Sequence, residues 1–502
     1  MTYGTRSAPP KSGAMLEALR GLGYSAATAL SDIIDNSIAA GAKNVDLTFD
    51  WAGPRSVIRV IDDGSGMTDD ELDRAMRLGE IDPLADRHKD DLGRFGLGLK
   101  TASFSQARRL TVASRKRGST CCLRWDLDRL SSPEGGDWLM LEGADADSPP
   151  PMDALGTRPT GTVVQWENPD RVLGQHPSAQ EFLDLIDSVE RHVAMVFHRY
   201  LEGSSPRLRI RINGRAVLAW DPFMSGSPAT WTSPTVRLGS GPSVVHVVGH
   251  VLPHRDRLDP KAYELGAGAD GWTAQQGFYV YRNARMLVAG GWLGIGRPRA
   301  WTKEEPTRLA RIRLDLPNTA DNDWKLDIRK SRARPPAGIR DQLQPFAEDI
   351  RARARRVFAH RGRLPGTTST VSPVAHAWRV DHQAGGVRYR IDESHPAVRA
   401  VLDDAGPNAA DVRAMLRVIE ETVPVQRIWL DTAEGKDTPQ TRFAAAPEAE
   451  VAAVLNALFR NLVLRKGMSP VDARARLLRT DPFDSYPTLV AALSDNPNSL
   501  EG

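Results

Sequence analysis

Hydrophobic and polar positions repeat with two periods along the first 130 residues, and these periods define the elements. "GAMLEALRGLG" and "DDELDRAMRLG" place apolar residues at helical spacing, and the stretch around "SDIIDNSIAAGA", residues 31 to 42, also reads as a helix. "NVDLTF", "SVIRVIDDG", "RRLTVAS" and "CCLRWDL" read as strands. The mixture predicts an α+β layer in which helices cover one face of a sheet. From about Ala179 to Leu201 the pattern is helical again. "RLRIRINGRAVLAW" then reads as a hairpin turning at Asn213-Gly214, and "SVVHVVGHVL" and "GFYVYRNARML" continue a second α+β unit. Ile339, Leu343, Phe346, Ile350, Ala354 and Val357 mark an amphipathic helix after it. "RGRLPGTTSTVSP" reads as a linker, and the last hundred residues as mostly helical.

Composition changes this picture at three points. A chain of 502 residues is too long for one core and is expected to form two or three domains. There is no run of about 18 apolar residues, and "MTYGTRSAPPKSGAM" lacks the apolar centre of a signal peptide, so a cytoplasmic protein without membrane association is expected. The two cysteines, Cys121 and Cys122, are neighbours on a strand and point to opposite faces, which speaks against a structural disulfide or a zinc site. The net charge of +3 decides nothing globally, but residues 329 to 363 hold eleven Lys and Arg against Asp341, Glu348 and Asp349. That block reads either as a phosphate-neutralising surface for DNA or as a solvated helix face.

Three stretches carry candidate chemistry. In the first, no Lys, Arg or Glu occurs from Gly21 to Ala42, yet Asp32, Asp35 and Asn36 share one stripe of the helix. Mg²⁺ prefers oxygen ligands and keeps several waters, so one amide plus nucleotide phosphates is a reasonable shell. A carboxylate beside it can activate an attacking water. A small polar helix face explains the pattern equally well. In the second, a strand runs into Asp62-Asp63-Gly64-Ser65-Gly66-Met67. A carboxylate at a strand end can accept from an exocyclic amine such as that of adenine, although DxGxG also serves as a simple turn. In the third, Gly93, Gly96 and Gly98 precede a helical run holding Lys100 and Thr101. Such a loop can bind an anion, but its spacing is neither that of a Walker loop nor that of a dinucleotide fingerprint.

Taken in order, D-x-x-D-N on a helix, strand-DxGxG and GxxGxG-helix within about 75 residues resemble the Bergerat-type, or GHKL, ATP-binding fold of DNA gyrase, heat-shock chaperones, histidine kinases and MutL. The resemblance implies that Asn36 coordinates Mg²⁺ and that Asp62 reads adenine. It implies that Gly64, Gly66, Met67, Gly93, Arg94, Phe95, Gly96, Leu97, Gly98, Lys100 and Thr101 line the ATP pocket. The segment from Gly79 to Leu92 would then be a lid. Asp32 would be the catalytic base, where the family usually has a Glu that is one methylene longer. Histidine kinases fit poorly, because none of the 31 residues before Asp32 is a phosphoacceptor His.

The second unit resembles the transducer domain of the hydrolysing branch, in which a loop lysine reaches the γ-phosphate. "LDIRKS" stands at that place, with Lys330 the candidate and Lys325 in reserve. "GFYVYRNARMLVAGGW" and "DLGRFGLGLKTASFSQ" look most like microrchidia (MORC) ATPases and their bacterial relatives. The expected organisation is an ATP-binding domain over 1–175, a transducer-like domain over 176–338, the basic helix over 339–363, and a linker with a mostly helical domain over 364–502. The implied function is ATP hydrolysis by a homodimer that closes on duplex DNA, in a bacterial defence against foreign DNA and with helicase or nuclease partners. The alternative is a chaperone-like or scaffolding switch that clamps a protein.

Overall fold

The computed structural model describes residues 10–495 apart from 22, 80–97, 132–137, 146, 175–176, 240, 321–322, 326–332, 360–374, 384–385, 426–427, 429–447 and 481–482. The chain divides into two compact units, Met1–Arg363 and Leu364–Gly502. The fold is α+β, with helices laid on a mixed sheet.

The first unit has two cores. Around the first, strands β1 (Asn44–Asp50), β2 (Val57–Asp62), β3 (Arg109–Lys116), β4 (Ser119–Asp126), β5 (Leu141–Glu142), β6 (Gly161–Glu167), β7 (Arg209–Ile212) and β8 (Arg215–Ala216) form one sheet in the order β5-β4-β3-β6-β2-β1-β7-β8. Alternate strand residues Val45, Leu47, Ile58, Val60, Leu110, Val112 and Trp166 point into a common core. Helices α1 (Ser12–Arg20), α2 (Ala26–Ala39), α4 (Gly98–Phe104) and Ala179–Val196 bring Leu16, Leu30, Ile33, Ile34, Phe104, Phe182 and Val193 onto it. A further helix, α3 (Asp69–Met76), follows the β2 turn.

The hairpin at Asn213-Gly214 differs from its expected place. It does not belong with the strands of the second α+β region but completes the first sheet, because β7 pairs in parallel with β1 and the Asn213 carboxamide accepts from the Phe49 N–H at 2.8 Å. The first core therefore continues to Val217.

The second sheet consists of β9 (Trp231–Thr232), β10 (Val236–Leu238), β11 (Val245–Val251), β12 (Gly277–Arg282), β13 (Arg285–Ala289) and β14 (Ala310–Leu316), in the order β10-β11-β14-β12-β13 with β9 also on β11. The expected amphipathic helix runs Ala337–Ala359 and buries Leu343, Ile350, Ala354 and Val357 in this second core.

The second unit contains an antiparallel hairpin, β15 (Trp378–Gln383) and β16 (Gly386–Ile391), and the helices Pro396–Asp404, Ala409–Glu421, Glu448–Arg460 and Pro470–Leu477. Its core holds Leu455, Phe459, Leu462, Leu477, Phe483 and Val490. The hairpin was not apparent in the sequence, where "WRVDHQ" alternates apolar and polar residues too weakly to stand out from its surroundings. Among the described residues no helix is long and apolar enough to cross a membrane.

Candidate functional site

α2 starts in a capping box: the Ser25 hydroxyl accepts from the Thr28 N–H, and the Thr28 hydroxyl accepts from the Ser25 N–H. It ends where the Ala40 carbonyl accepts from Ser65 N–H at 2.9 Å, so the DxGxG turn is tied directly to the end of the helix. Gly64 is required at this contact, because a Cβ there would lie 2.8 Å from that of Ala40. Gly66 has φ +67, and a Cβ on it would lie 2.0 Å from the Arg115 carbonyl oxygen. Met67 is half-buried and donates its N–H to the Ser114 hydroxyl at 2.8 Å.

The two adjacent aspartates separate into different roles. The Asp63 carboxylate accepts from the backbone N–H groups of Lys43 and Asn44 and from the Asn44 side chain, at 2.6 to 2.8 Å. Burial raises its pKa, but these hydrogen bonds outweigh the rise and hold it below the ordinary value, which marks a turn support. Asp62 is buried; it accepts from the Ser37 hydroxyl at 2.8 Å and the Gly64 N–H at 2.9 Å, and the Thr162 N–H also donates to it. Burial pushes its pKa up despite all three donors. Ser37 and Thr162 are thus neighbours of Asp62 that the sequence did not single out. Ser37 is one small polar residue within a helical pattern, and "GTVVQW" offers only a strand pattern.

The polar stripe of α2 is divided in the structure. Asn36 is exposed, whereas Asp32 and Asp35 are only 6% and 1% exposed. Asp35 Oδ1 accepts from Arg285 Nε at 3.1 Å, and a terminal nitrogen of the same guanidinium lies 3.8 Å from Asp32 Oδ1. The other Asp32 oxygen accepts from the Tyr24 hydroxyl at 3.2 Å. Asp35 is therefore engaged by the second sheet. His192, on the helix Ala179–Val196, has its pKa pushed down to about 4, first by burial and then by the positive charge of Arg285. It is neutral near pH 7. Arg285 itself gave no signal in the sequence beyond lying in a strand.

In the third stretch, Gly98 is the first residue of α4, while Gly93, Arg94, Phe95, Gly96 and Leu97 lie outside the described residues. Lys100 is buried and donates from Nζ to the Ala75 carbonyl at 2.8 Å, at the end of α3. Burial lowers its pKa to about 8. Thr101 is buried on the same helix. Lys330 lies outside the described residues. Lys325 is described, exposed, and lines a cavity of about 690 Å³ with Asp323, Arg334 and Arg340.

The arginines of the helix Ala337–Ala359 correct the expectation of a free basic surface. Arg351 is 4% exposed and lies between two indole faces, 4.7 Å from the Trp292 ring centre and 4.3 Å from that of Trp301. It also donates to Glu304 at 3.2 Å, as does Arg355. Arg353 stacks over Trp231 at 4.6 Å and donates to Asp349 at 2.9 Å. Neither DNA nor solvent accounts for Arg351: "GGWLG" and "RAWTKEE" supply its partners, far away in sequence. Arg356 remains exposed.

The segment that holds these residues is similar to known proteins. Residues 24–162 match the family described as "Histidine kinase-, DNA gyrase B-, and HSP90-like ATPase". That segment runs from Tyr24, whose hydroxyl meets Asp32, to Thr162, whose N–H meets Asp62. Three similar proteins each carry the name DNA mismatch repair protein MutL. The one from Halobacterium salinarum is 27% identical over 196 residues, 38% of this chain and 27% of that protein. The one from Neisseria meningitidis is 38% identical over 113 residues, 21% and 17% respectively. The one from Paramagnetospirillum magneticum is 31% identical over 169 residues, 33% and 25%. The chain thus spans less than a third of the length of the curated relatives it matches. An ATPase domain of the GHKL kind is what the segment 24–162 is similar to, and the mixed-sheet α+β fold is consistent with it.

Proposed function

We propose that this chain binds ATP with Mg²⁺ on α2 and the Asp62 turn, hydrolyses it slowly, and uses the cycle to close as a homodimer on duplex DNA. One observation carries the nucleotide reading: a buried carboxylate, Asp62, fixed by three donors beside a turn whose glycines leave no room for side chains. A carboxylate so held is suited to accept from the exocyclic amine of adenine. Asn36 offers an exposed amide oxygen on the same helix, which fits Mg²⁺. When bound, that ion supplies neutralisation of phosphate charge. Asp32, oriented by Tyr24, takes the proton from the attacking water. Its shorter side chain, where related ATPases have Glu, is the reason to expect slow turnover.

Gly93, Arg94, Phe95, Gly96, Leu97 and Lys330 enter as phosphate-side groups on the resemblance alone. Lys100 and Thr101 join them after a rearrangement that frees Lys100 from Ala75. The DNA reading rests on the relatives named for mismatch repair and on the resemblance of "GFYVYRNARMLVAGGW" to MORC ATPases, which also suggests defence against foreign DNA. The inward packing of Arg351 favours the second reading, a switch that clamps a protein, since it removes part of the basic surface. The test is ATP turnover with and without duplex DNA, beside light scattering with a non-hydrolysable ATP analogue. DNA-stimulated turnover and a doubled mass are expected. A monomer with DNA-independent turnover would move the assignment to the second reading, and absence of nucleotide binding would end both.

A further inference from the structure

The tip of the β12–β13 hairpin is built to enter the first core. Arg282 pairs with Arg285 across a two-residue turn, with Asn283 at φ 48 and Ala284 at φ 66. This is the turn type that fits hairpin twist, usually with glycine in the second position. Here an alanine accepts the strained conformation, and its methyl group packs against the first core. The Tyr200 hydroxyl donates to the Asn283 carbonyl at 2.5 Å, which seats the turn.

Arg285 then points back into the first core and is 4% exposed. Its guanidinium has attachments on every side: Asp35 at 3.1 Å, Asp32 at 3.8 Å, the Met286 carbonyl at 2.6 Å, and the Phe197 ring, centred 5.8 Å away. A tie between two cores could be made with apolar residues at less desolvation cost. A charge buried against two carboxylates, one of them the candidate base, does something apolar packing cannot: it fixes where a carboxylate oxygen points.

We propose that Arg285 is a positioning residue through which the second sheet orients Asp32, so that hydrolysis is competent only while the β12–β13 tip is seated. The inference rests on the reading of Asp32 as the base. Asp32 is held from two sides by different elements, Oδ2 by Tyr24 of the first core and Oδ1 by Arg285 of the second sheet. Movement of the second sheet therefore changes one restraint and leaves the other. Because aspartate reaches less far than glutamate, its productive geometry tolerates little displacement.

Arg285→Met, which keeps an apolar stem over Phe197, Arg285→Lys, which keeps the charge, and Asp32→Asn test this in the full chain. Arg285→Met is expected to lower kcat by about 10- to 100-fold, the cost of misplacing a catalytic group, with KM for ATP within about threefold of the parent. Arg285→Lys should recover most of the loss. In the nucleotide-free protein, urea unfolding of Arg285→Met, Asp32→Asn and the double variant should be non-additive. A folded Arg285→Met protein with parental kcat, or additive unfolding, overturns the inference. Should Arg285→Met not fold, the unfolding cycle run with Arg285→Lys decides, and additivity again overturns it. Parental turnover in Asp32→Asn is a different failure: it removes the base assignment, and the role of Arg285 in hydrolysis goes with it.

Discussion

Two helices of this chain carry charges where packing on a sheet calls for apolar residues, and they use them in opposite ways. α2 buries Asp32 and Asp35 against one guanidinium from another sheet, next to an exposed Asn36 and a glycine turn packed too closely to admit a side chain. The helix Ala337–Ala359 buries Arg351 between two indoles and a carboxylate of its own fold. The first arrangement leaves one oxygen ligand, the Asn36 amide, facing outward. In the second the charge is already matched inside the chain. A charge pattern in sequence therefore indicates a site only where the fold leaves one of its polar groups facing solvent beside the matched ones, as it does Asn36.

The strongest way to break this contrast is to remove the chemistry from α2 while keeping its shape. Asp32→Asn should leave nucleotide binding intact and lower turnover by about 10²- to 10⁴-fold, the usual contribution of a general base. Asn36→Ala should instead abolish Mg²⁺-dependent binding, and Asp32→Glu should preserve or raise turnover. Binding by fluorescent ATP analogue and release of phosphate separate the three variants. Equal turnover of Asp32→Asn and the parent would place α2 with the second helix, as a packing device.

The next largest effect is expected on the other helix. Arg351→Ala removes two ring contacts and a partner of Glu304, and should destabilise the first unit by about 3 kcal/mol. Chemical unfolding followed by tryptophan fluorescence reads it directly, because Trp292 and Trp301 flank the site. A loss below about 0.5 kcal/mol, typical of surface positions, would mean that Arg351 is a surface charge after all.

What the sequence made legible follows from how local each signal is. The helix and strand periods of the first 130 residues, the α+β class and the helix at 337–359 depend on neighbours within a few positions, and they appear as expected. The ordered motifs led to the same family that matches residues 24–162. Contacts across long separations stayed hidden: Asp35 with Arg285 across 250 residues, Trp166 with Ser103 across 63, Arg351 with Glu304 across 47. Nothing in "NARML" distinguishes an arginine that enters a core from one that faces water. The placement of the Asn213-Gly214 hairpin failed for the same reason, since its turn chemistry specifies a hairpin but not the sheet it joins.

Lys100 sharpens the comparison with a third helix, α4, that buries a charge. Burial depresses its pKa from 10.5 to about 8, so between those values the unfolded chain binds the proton that the folded chain has released. The stability from this group is therefore complete above about pH 10.5 and is lost as pH falls through about 8. Lys100→Met should flatten the rise in stability over that window and leave the protein about 1–3 kcal/mol more stable at pH 7, the lost bond to Ala75 offsetting part of the gain. Urea midpoints at pH 7 and 9.5 measure both effects. A parental slope in the variant would show that the lysine is protonated and solvated in the folded state.

The smallest effect is expected at Arg356, an exposed arginine of the 337–359 helix that follows Arg351, Arg353 and Arg355, whose partners are Glu304 and Asp349. Arg356→Gln should change unfolding by less than about 0.5 kcal/mol, as surface positions do. If DNA runs along this helix, the same variant should lower the slope of log affinity against log salt by about 0.9, the value of one phosphate contact on duplex DNA. Arg353 and Arg355, whose carboxylate partners compete with phosphate, should each lower it by less. An unchanged slope for Arg356→Gln over a salt series removes the helix from the DNA interface. The comparison with α2 would then be complete, with every charge on this helix accounted for by the fold or by water.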